Sequence, residues 1–395
     1  MYSIQPPLLA FKDFLASDTN DRLVMVLSAL DLEPLLLKLD RRRGRGRRGY
    51  SQRSMLYAVI AGWVYNLHSM ADLRRELCRN GSLRILCGIN SVGQVPSEDA
   101  FSRFFARLAE HKADLQAEYA KLIDKIRELA PEVGEKVAID STAINAWSDG
   151  NRKQAADPDA GWGCKGHQSK GKSKWWFGYK LHIAADTPAE LALAFDVTPA
   201  NEADGTQMEA LLAELDKLLP EGHLKAVMAD AAYDSKANYA AVWSRGALPI
   251  IDFNARGWAA PAGYTEKGQP LCDCGRPMRF LGRDRAYLKY GSGKDCTCRD
   301  GKLIRRLRID DNPRLHAPLP RHTLKWARLY NERSAVERVN SRGKEHLRLR
   351  TLKHRGADKA YLHCWLSMAV AAAGCLGAMQ IGRRDWARSV VQLVA

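Results

Sequence analysis

Along the first 130 positions apolar residues return every three or four places, the period of helices with one buried face. "MLYAVIAGWVYNL" (55–67) and "FSRFFARLAEHKADLQAEYAKLI" (101–123) carry it most clearly, and residues 1–40 alternate apolar and charged positions in the same way. Pro96 and Ser97 in "QVPSEDAFSRFF" predict a loop and a capped helix start, because a serine oxygen takes up free N–H groups of the first turn. After "LAPEVGE" the pattern turns to short β-rich runs. "KVAIDSTAI", "KWWFGYKLHIAAD" and "LALAFDVTPAN" read as strands, "TQMEALLAELDKLL" as a helix, "LKAVMADAAYDS" as a strand, "KANYAAVWSRG" as a helix and "LPIIDFN" as a strand. The expected order is three strands, helix, strand, helix, strand, with the first and fourth strands side by side.

A long helix is predicted over "YNERSAVERVNSRGK" (330–344). On it Tyr330, Arg333, Glu337 and Lys344, spaced three, four and seven apart, fall on one stripe that is charged where a core-facing stripe would be apolar. Val336, Val339 and Leu347 supply a neighbouring apolar face. The run "YLHCWLSMAVAAAGCLGAMQI" (361–381) has membrane length, but His363 and its alanines favour a packed C-terminal helix, and no membrane partner is expected. These changes of pattern divide the chain into 1–49, an N-terminal helical segment with an Arg/Gly-rich arm; 50–130, a helical DNA-binding or accessory domain; 131–256, the first part of an α/β core; 257–320, a cysteine-pair insertion; and 321–395, the helix with Glu337 and the C-terminal helices.

Composition narrows the function. The balance of 61 basic against 45 acidic residues, +16 in all, points to a polyanionic partner, and nucleic acid fits better than a membrane surface. "RRRGRGRRGY" concentrates that charge in Arg41, Arg42, Arg43, Arg45, Arg47 and Arg48. It reads either as a solvated linker or as an arm lying on phosphates. The N-terminus shows no secretory pattern, which implies a cytoplasmic, nucleoid-associated protein whose nine cysteines need not pair.

Asp140 in the first strand, Asp230 near the end of the fourth and Glu337 on the long helix form the chemical core of this reading. Hard divalent cations are held by one or two carboxylates each, and two ions about 3.5–4 Å apart clamp the attacking and leaving oxygens of a phosphoryl transfer. Asp234 is a rival to Asp230, but it falls in the turn beyond the strand and is expected to point elsewhere.

Asp140 in "IDST", Asp230 in "ADAAYDS" and the series Tyr330, Arg333, Glu337, Lys344 resemble a bacterial insertion-sequence transposase of the DDE type with the YREK signature. "PDAGWG" with "FGYKLH", and "SMADLRRELCRNGSLRILCGI" with "VPSEDAFSRFFARL", add to the likeness, which spans roughly 50–255 and 320–375. The resemblance implies an RNase H-like mixed sheet flanked by helices, preceded by an all-α domain and interrupted by the insertion. It also implies that Asp140, Asp230 and Glu337 hold two Mg²⁺ ions, with Mn²⁺ as substitute. The enzyme would cut element ends and join the 3′-OH to target DNA, its partner being double-stranded DNA, with Tyr330, Arg333 and Lys344 on it and a homodimer assembled there. Ala232 stands where glycine is frequent in that family, which reshapes the turn without removing a carboxylate. The alternatives are an RNase H-like DNA nuclease and a non-cutting DNA-binding descendant.

"LCDCGRP" and "DCTCRD" place Cys272, Cys274, Cys296 and Cys298 as two C-x-C pairs with 21 residues between them. Four thiolates suit a structural Zn²⁺, although C-x-C is an unusual spacing for one; reduced thiols and disulfides remain alternatives. Arginines and lysines around the pairs read as a DNA clamp or as a solvated hairpin. Trp175 and Trp176 follow a basic loop, where a tryptophan could stack on an unpaired base, but at a strand start they are expected in the core.

Overall fold

A computed structural model describes residues 21–41, 49–151, 156–166, 173–254, 261–293, 296, 298 and 302–388. Arg42, Arg43, Arg45, Arg47 and Arg48 lie outside the described residues. The chain opens with helices α1 (Asp21–Ala29), α2 (Glu33–Arg41), α3 (Gln52–Val64), α4 (Met70–Arg79), α5 (Gly81–Leu86), α6 (Glu98–Ala109) and α7 (Lys112–Leu129). Strands β1 (Lys136–Asn145), β2 (Gly161–Lys165), β3 (Lys174–Asp186) and β4 (Leu191–Pro199) follow, then α8 (Met208–Leu218), β5 (Ala226–Ala229), α9 (Lys236–Ser244) and β6 (Leu248–Ile251). After β7 (Arg279–Asp284), β8 (Tyr287–Gly291) and β9 (Ile304–Arg308) come α10 (Leu324–Asn331), α11 (Ser334–His346) and α12 (Ala357–Gln380).

The fold divides into two compact units: residues 1–129, 145–159 and 342–395, and residues 130–144 and 160–341. In the helical unit, serine or asparagine oxygens cap α3, α4, α5 and α6, and Ser97 accepts from Ala100 N–H as its position predicts. Each such cap contributes about 1 kcal/mol. Helix α12 is long and apolar enough to cross a membrane, yet 89% of its apolar window is buried within the fold. Trp365 Nε1 donates to the Leu115 carbonyl at 2.6 Å, and Trp63 Nε1 to Ser367 Oγ at 3.1 Å. The C-terminal stretch expected with the α/β core thus groups, from Arg342 on, with the N-terminal helices.

The second unit is built on a six-stranded mixed sheet, β2-β3-β1-β5-β6, with β4 paired to β3. Strands β1, β5 and β6 run parallel, while β2-β3 and β3-β4 are antiparallel. β5 is buried throughout, as its unbroken apolar run "AVMA" requires of a parallel strand between two others. Pro249 is tolerated in β6 because that strand ends the sheet. Strand β2 is an addition to the expected order. A Cβ at Gly163 would stand 2.4 Å from Trp176, so this strand needs a glycine where a strand pattern calls for a side chain. Trp175 is 53% exposed and Trp176 only half-buried, so neither is the core residue expected. The sheet faces solvent at that edge.

Strands β7, β8 and β9 form a separate antiparallel sheet between β6 and α10. Its own core is small: Cys272, Met278, Leu288, Tyr290, Cys296, Leu303 and Ile309, with Trp243, Phe280, Cys298 and Leu307 packed against it.

Candidate active site

Asp140 and Asp230 meet because β1 and β5 are parallel neighbours. Ile139 is in register with Ala229, and each aspartate follows directly. Asp230 follows β5 in extended conformation and caps the single turn Ala231–Tyr233, its Oδ1 accepting from Ala232 N–H at 2.9 Å. Asp140 is half-buried and closely surrounded. Burial pushes its carboxyl up to about 6, with the Asp230 charge adding to the rise, against the Ser141 backbone N–H and the charges of Arg333 and Lys165. Two carboxylates so placed repel and call for a cation.

The helix expected over Tyr330–Lys344 is two helices. α10 stops at Asn331 and α11 starts at Ser334, with Glu332 and Arg333 in a tight turn. There Arg333 N–H bonds the Tyr330 carbonyl, Ala335 N–H that of Glu332, and Val336 N–H that of Arg333, all i to i+3. Glu332 is drawn away at this point: Lys136 Nζ lies 2.9 Å from its Oε1, and Thr187 Oγ1 donates to Oε2 at 2.9 Å. The four-residue stripe is therefore split, with Tyr330 on α10, Arg333 in the turn, and Glu337 and Lys344 on α11.

Glu337 lies in the first turn of α11 with a side chain 53% exposed, and it pairs with Arg333 Nη2 at 2.6 Å. Arg333 is far less exposed, and its charge also reaches Asp140. Three positions beyond Glu337, Asn340 Nδ2 donates to Asp140 Oδ2 at 3.4 Å, which brings this face of α11 to β1. Among the described residues, Cys272, Cys274, Cys296 and Cys298 alone form a metal-sized donor set. Asp140 and Asp230 stand together, whereas Glu337 is turned onto Arg333. Tyr330 is engaged within the protein: its hydroxyl donates to Asp252 Oδ2 at 3.3 Å and its ring stacks on Trp326 at 4.7 Å. Lys344 sits in the last turn of α11 and Arg41 in the last turn of α2. The Asp234 side chain, itself without exposure, points away from the carboxylate pair, as expected, and pairs with the partly exposed Arg314.

Sequence reading missed Asn340 and Glu332. Asn340 could have been found from its i+3 offset to Glu337, which places it on the same helix face. Glu332 carries no local signal, because its partners Lys136 and Thr187 are distant in the chain.

In the cysteine cluster, Cys274 Sγ lies 2.8 Å from Cys272 Sγ and 3.7 Å from Cys296 Sγ, and Cys296 Sγ lies 3.5 Å from Cys272 Sγ. The last two match the edge of about 3.8 Å that four sulfurs 2.3 Å from a tetrahedral ion define. Hydrogen bonding from the Cys274 thiol holds the Cys272 thiol below its usual value, while burial pushes Cys298 up.

Residues 131–372 match the family model of the transposase DDE domain, and residues 11–107 match a second transposase domain model. Among solved structures, the chain is similar to a piggyBac transposase synaptic complex with hairpin DNA, at 13% identity over 95% of this chain and 80% of that one, TM-score 0.42. It is also similar to the Mos1 transposase paired-end complex with left transposon end, at 10% identity over 53% and 60%, TM-score 0.19. Both likenesses are distant, and membership is carried by the sequence match over more than half of the chain. The chain belongs to the DDE transposases, enzymes that depend on divalent metal ions to cut and transfer DNA strands.

Proposed function

We propose that Asp140, Asp230 and Glu337 hold two Mg²⁺ ions, with Mn²⁺ as substitute, and that the protein cuts the ends of an insertion sequence and joins the freed 3′-OH to target DNA. The observation that carries this reading is the juxtaposition of Asp140 and Asp230 across β1 and β5, with the Asp140 carboxyl pushed up to about 6 by burial and by its neighbour. When bound, the ions would polarise the phosphodiester and favour ionisation of the attacking hydroxyl.

The protein's own groups prepare the site. Asn340 holds Asp140 Oδ2 at 3.4 Å and so orients that carboxylate. Glu337 joins the donor set by rotating off Arg333, which lies one helical turn before it. Release of Glu337 leaves the Arg333 guanidinium beside the carboxylates with donors for a DNA phosphate. Lys344 would meet the backbone further along the same helix. Tyr330, stacked on Trp326 and bonded to Asp252, seats α10 and presents its ring 5.7 Å from the Arg333 guanidinium. Joining two element ends requires both to be held at once, so the working form on DNA is a homodimer. The four cysteines hold a structural Zn²⁺ that secures the β7–β9 sheet.

The test is end cleavage on intact element ends and strand transfer from a pre-cut DNA end, both with Mg²⁺. Wild type is expected to join it, and Glu337→Gln to lose cleavage and joining while binding DNA at low salt as wild type does. Hydrolysis without joining would make the protein a nuclease. Loss of folding and binding together in Glu337→Gln would make that residue structural.

A further inference from the structure

Asp234 is one of the most enclosed charges in the α/β unit, with no side-chain exposure. Its Oδ2 accepts from Arg314 Nε at 2.7 Å and from Asn254 N–H at 2.8 Å. Arg321 Nη2 lies 3.8 Å from the other oxygen, and the Arg321 side chain is itself only 4% exposed. Arg321 then binds three separate pieces of chain: Nε donates to the Ile251 carbonyl at 3.1 Å, Nη1 to the Arg314 carbonyl at 2.8 Å, and Nη2 to the Tyr239 hydroxyl. The Phe253 ring stacks under both guanidinium groups, at 4.7 and 5.2 Å. Such a cluster is costly to bury unless each member is paired, and removing its one anion would leave two cations facing each other.

The places these residues occupy give the cluster its meaning. Asp234 closes the turn that Asp230 opens, four residues on. Arg314 and Arg321 belong to the limb that returns from the β7–β9 sheet, and Arg321 stands three residues before α10. α10 leads directly into Arg333 and Glu337. Thr323 caps α10 through Trp326 N–H, so little slack separates Arg321 from the helix. Asp252, which Tyr330 binds, follows the Ile251 carbonyl that Arg321 binds.

We propose that Asp234 is a positioning residue: through Arg314 and Arg321 it ties the limb that carries Glu337 to the turn that carries Asp230, and so sets the spacing of the two carboxylates. This rests on the reading of Asp230 and Glu337 as metal-holding groups. Groups that orient ligands in this way change metal affinity by about 10–100-fold when removed.

The experiment uses the full chain carrying Asp234→Asn, which keeps the shape and loses the charge. Arg314→Gln serves as a milder second variant, since that side chain is partly exposed. Folding is checked by circular dichroism. Mn²⁺ binding is then titrated by electron paramagnetic resonance without DNA, beside the Mg²⁺ dependence of end cleavage. Both variants are expected to fold and to need about tenfold more metal in each assay, with cleavage recovering at high Mg²⁺. A folded variant with wild-type metal requirement in both assays would overturn the proposal. If Asp234→Asn does not fold, Arg314→Gln decides by the same criterion. Asp230→Asn and Glu337→Gln are run alongside. Cleavage by either of those would defeat the metal-site reading itself, a result separate from wild-type behaviour of the Asp234 variant.

Discussion

His182 and Asp140 show how single residues here respond to pH in opposite directions. The His182 ring is fully buried on β3, its Nε2 2.8 Å from Thr198 Oγ1, and burial pushes its pKa down to about 4. The folded protein keeps the ring neutral while the unfolded chain takes a proton near pH 6.5. Stability from this group is therefore present above that pH and drains away as pH falls toward about 4, at roughly 1.4 kcal/mol per unit. His363, inside α12, behaves in the same sense. Asp140, held up at about 6, binds a proton in the folded state that the unfolded chain gives up, so it adds stability as pH falls from about 6 to 4. Without divalent ions, the thermal midpoint is expected to drop between about pH 7 and pH 5. The drop should be steeper for Asp140→Asn, which lacks the opposing contribution, and shallower for His182→Asn. Equal drops in all three proteins would contradict these assignments.

Elements were legible in the sequence where a single period ran unbroken, and not where a distant partner or a glycine decided the outcome. The neighbouring β1 and β5, which bring Asp140 to Asp230, follow from apolar runs that end in aspartate. β2 was missed because Gly161 and Gly163 hide a strand whose missing side chains make room for Asn201 and Trp176. The break between α10 and α11 was missed because Glu332 is held by Lys136 and Thr187, remote in sequence. The β7–β9 sheet was legible through its cysteines and not through its pattern. Three short strands over so small a core are marginal alone, and a metal would supply the missing stability. Purified protein is expected to carry about one zinc per chain. Cys274→Ser or a chelator should expose residues 261–310 to proteolysis while the six-stranded sheet keeps its protection. Metal-free protein with four reactive thiols and an equally resistant segment would rule the zinc out.

At the scale of the whole molecule, charge separates binding from chemistry. The formal +16 sets a general attraction to DNA that salt weakens, whereas Asp140, Asp230 and Glu337, in the proposed site, would contribute negative charge at the place where the backbone comes closest. Loss of a carboxylate and loss of an arginine should accordingly leave different signatures. Glu337→Gln removes one negative charge and leaves the phosphate-binding cations in place, so the slope of log affinity against log salt is expected to stay as in wild type. Replacing the six arginines between Arg41 and Arg48 by glutamine should flatten that slope by about one unit for each phosphate that is no longer neutralised. Of these, Arg41 is exposed in the last turn of α2, where it has free reach toward a backbone. Cleavage at low salt should survive in the arginine variant, because the three carboxylates proposed to hold the metal are untouched and electrostatic attraction from the remaining basic residues is strongest there. An unchanged slope would reduce the Arg/Gly run to a linker. A flattened slope accompanied by loss of cleavage at low salt would instead assign the run a part in placing the DNA end on the carboxylates.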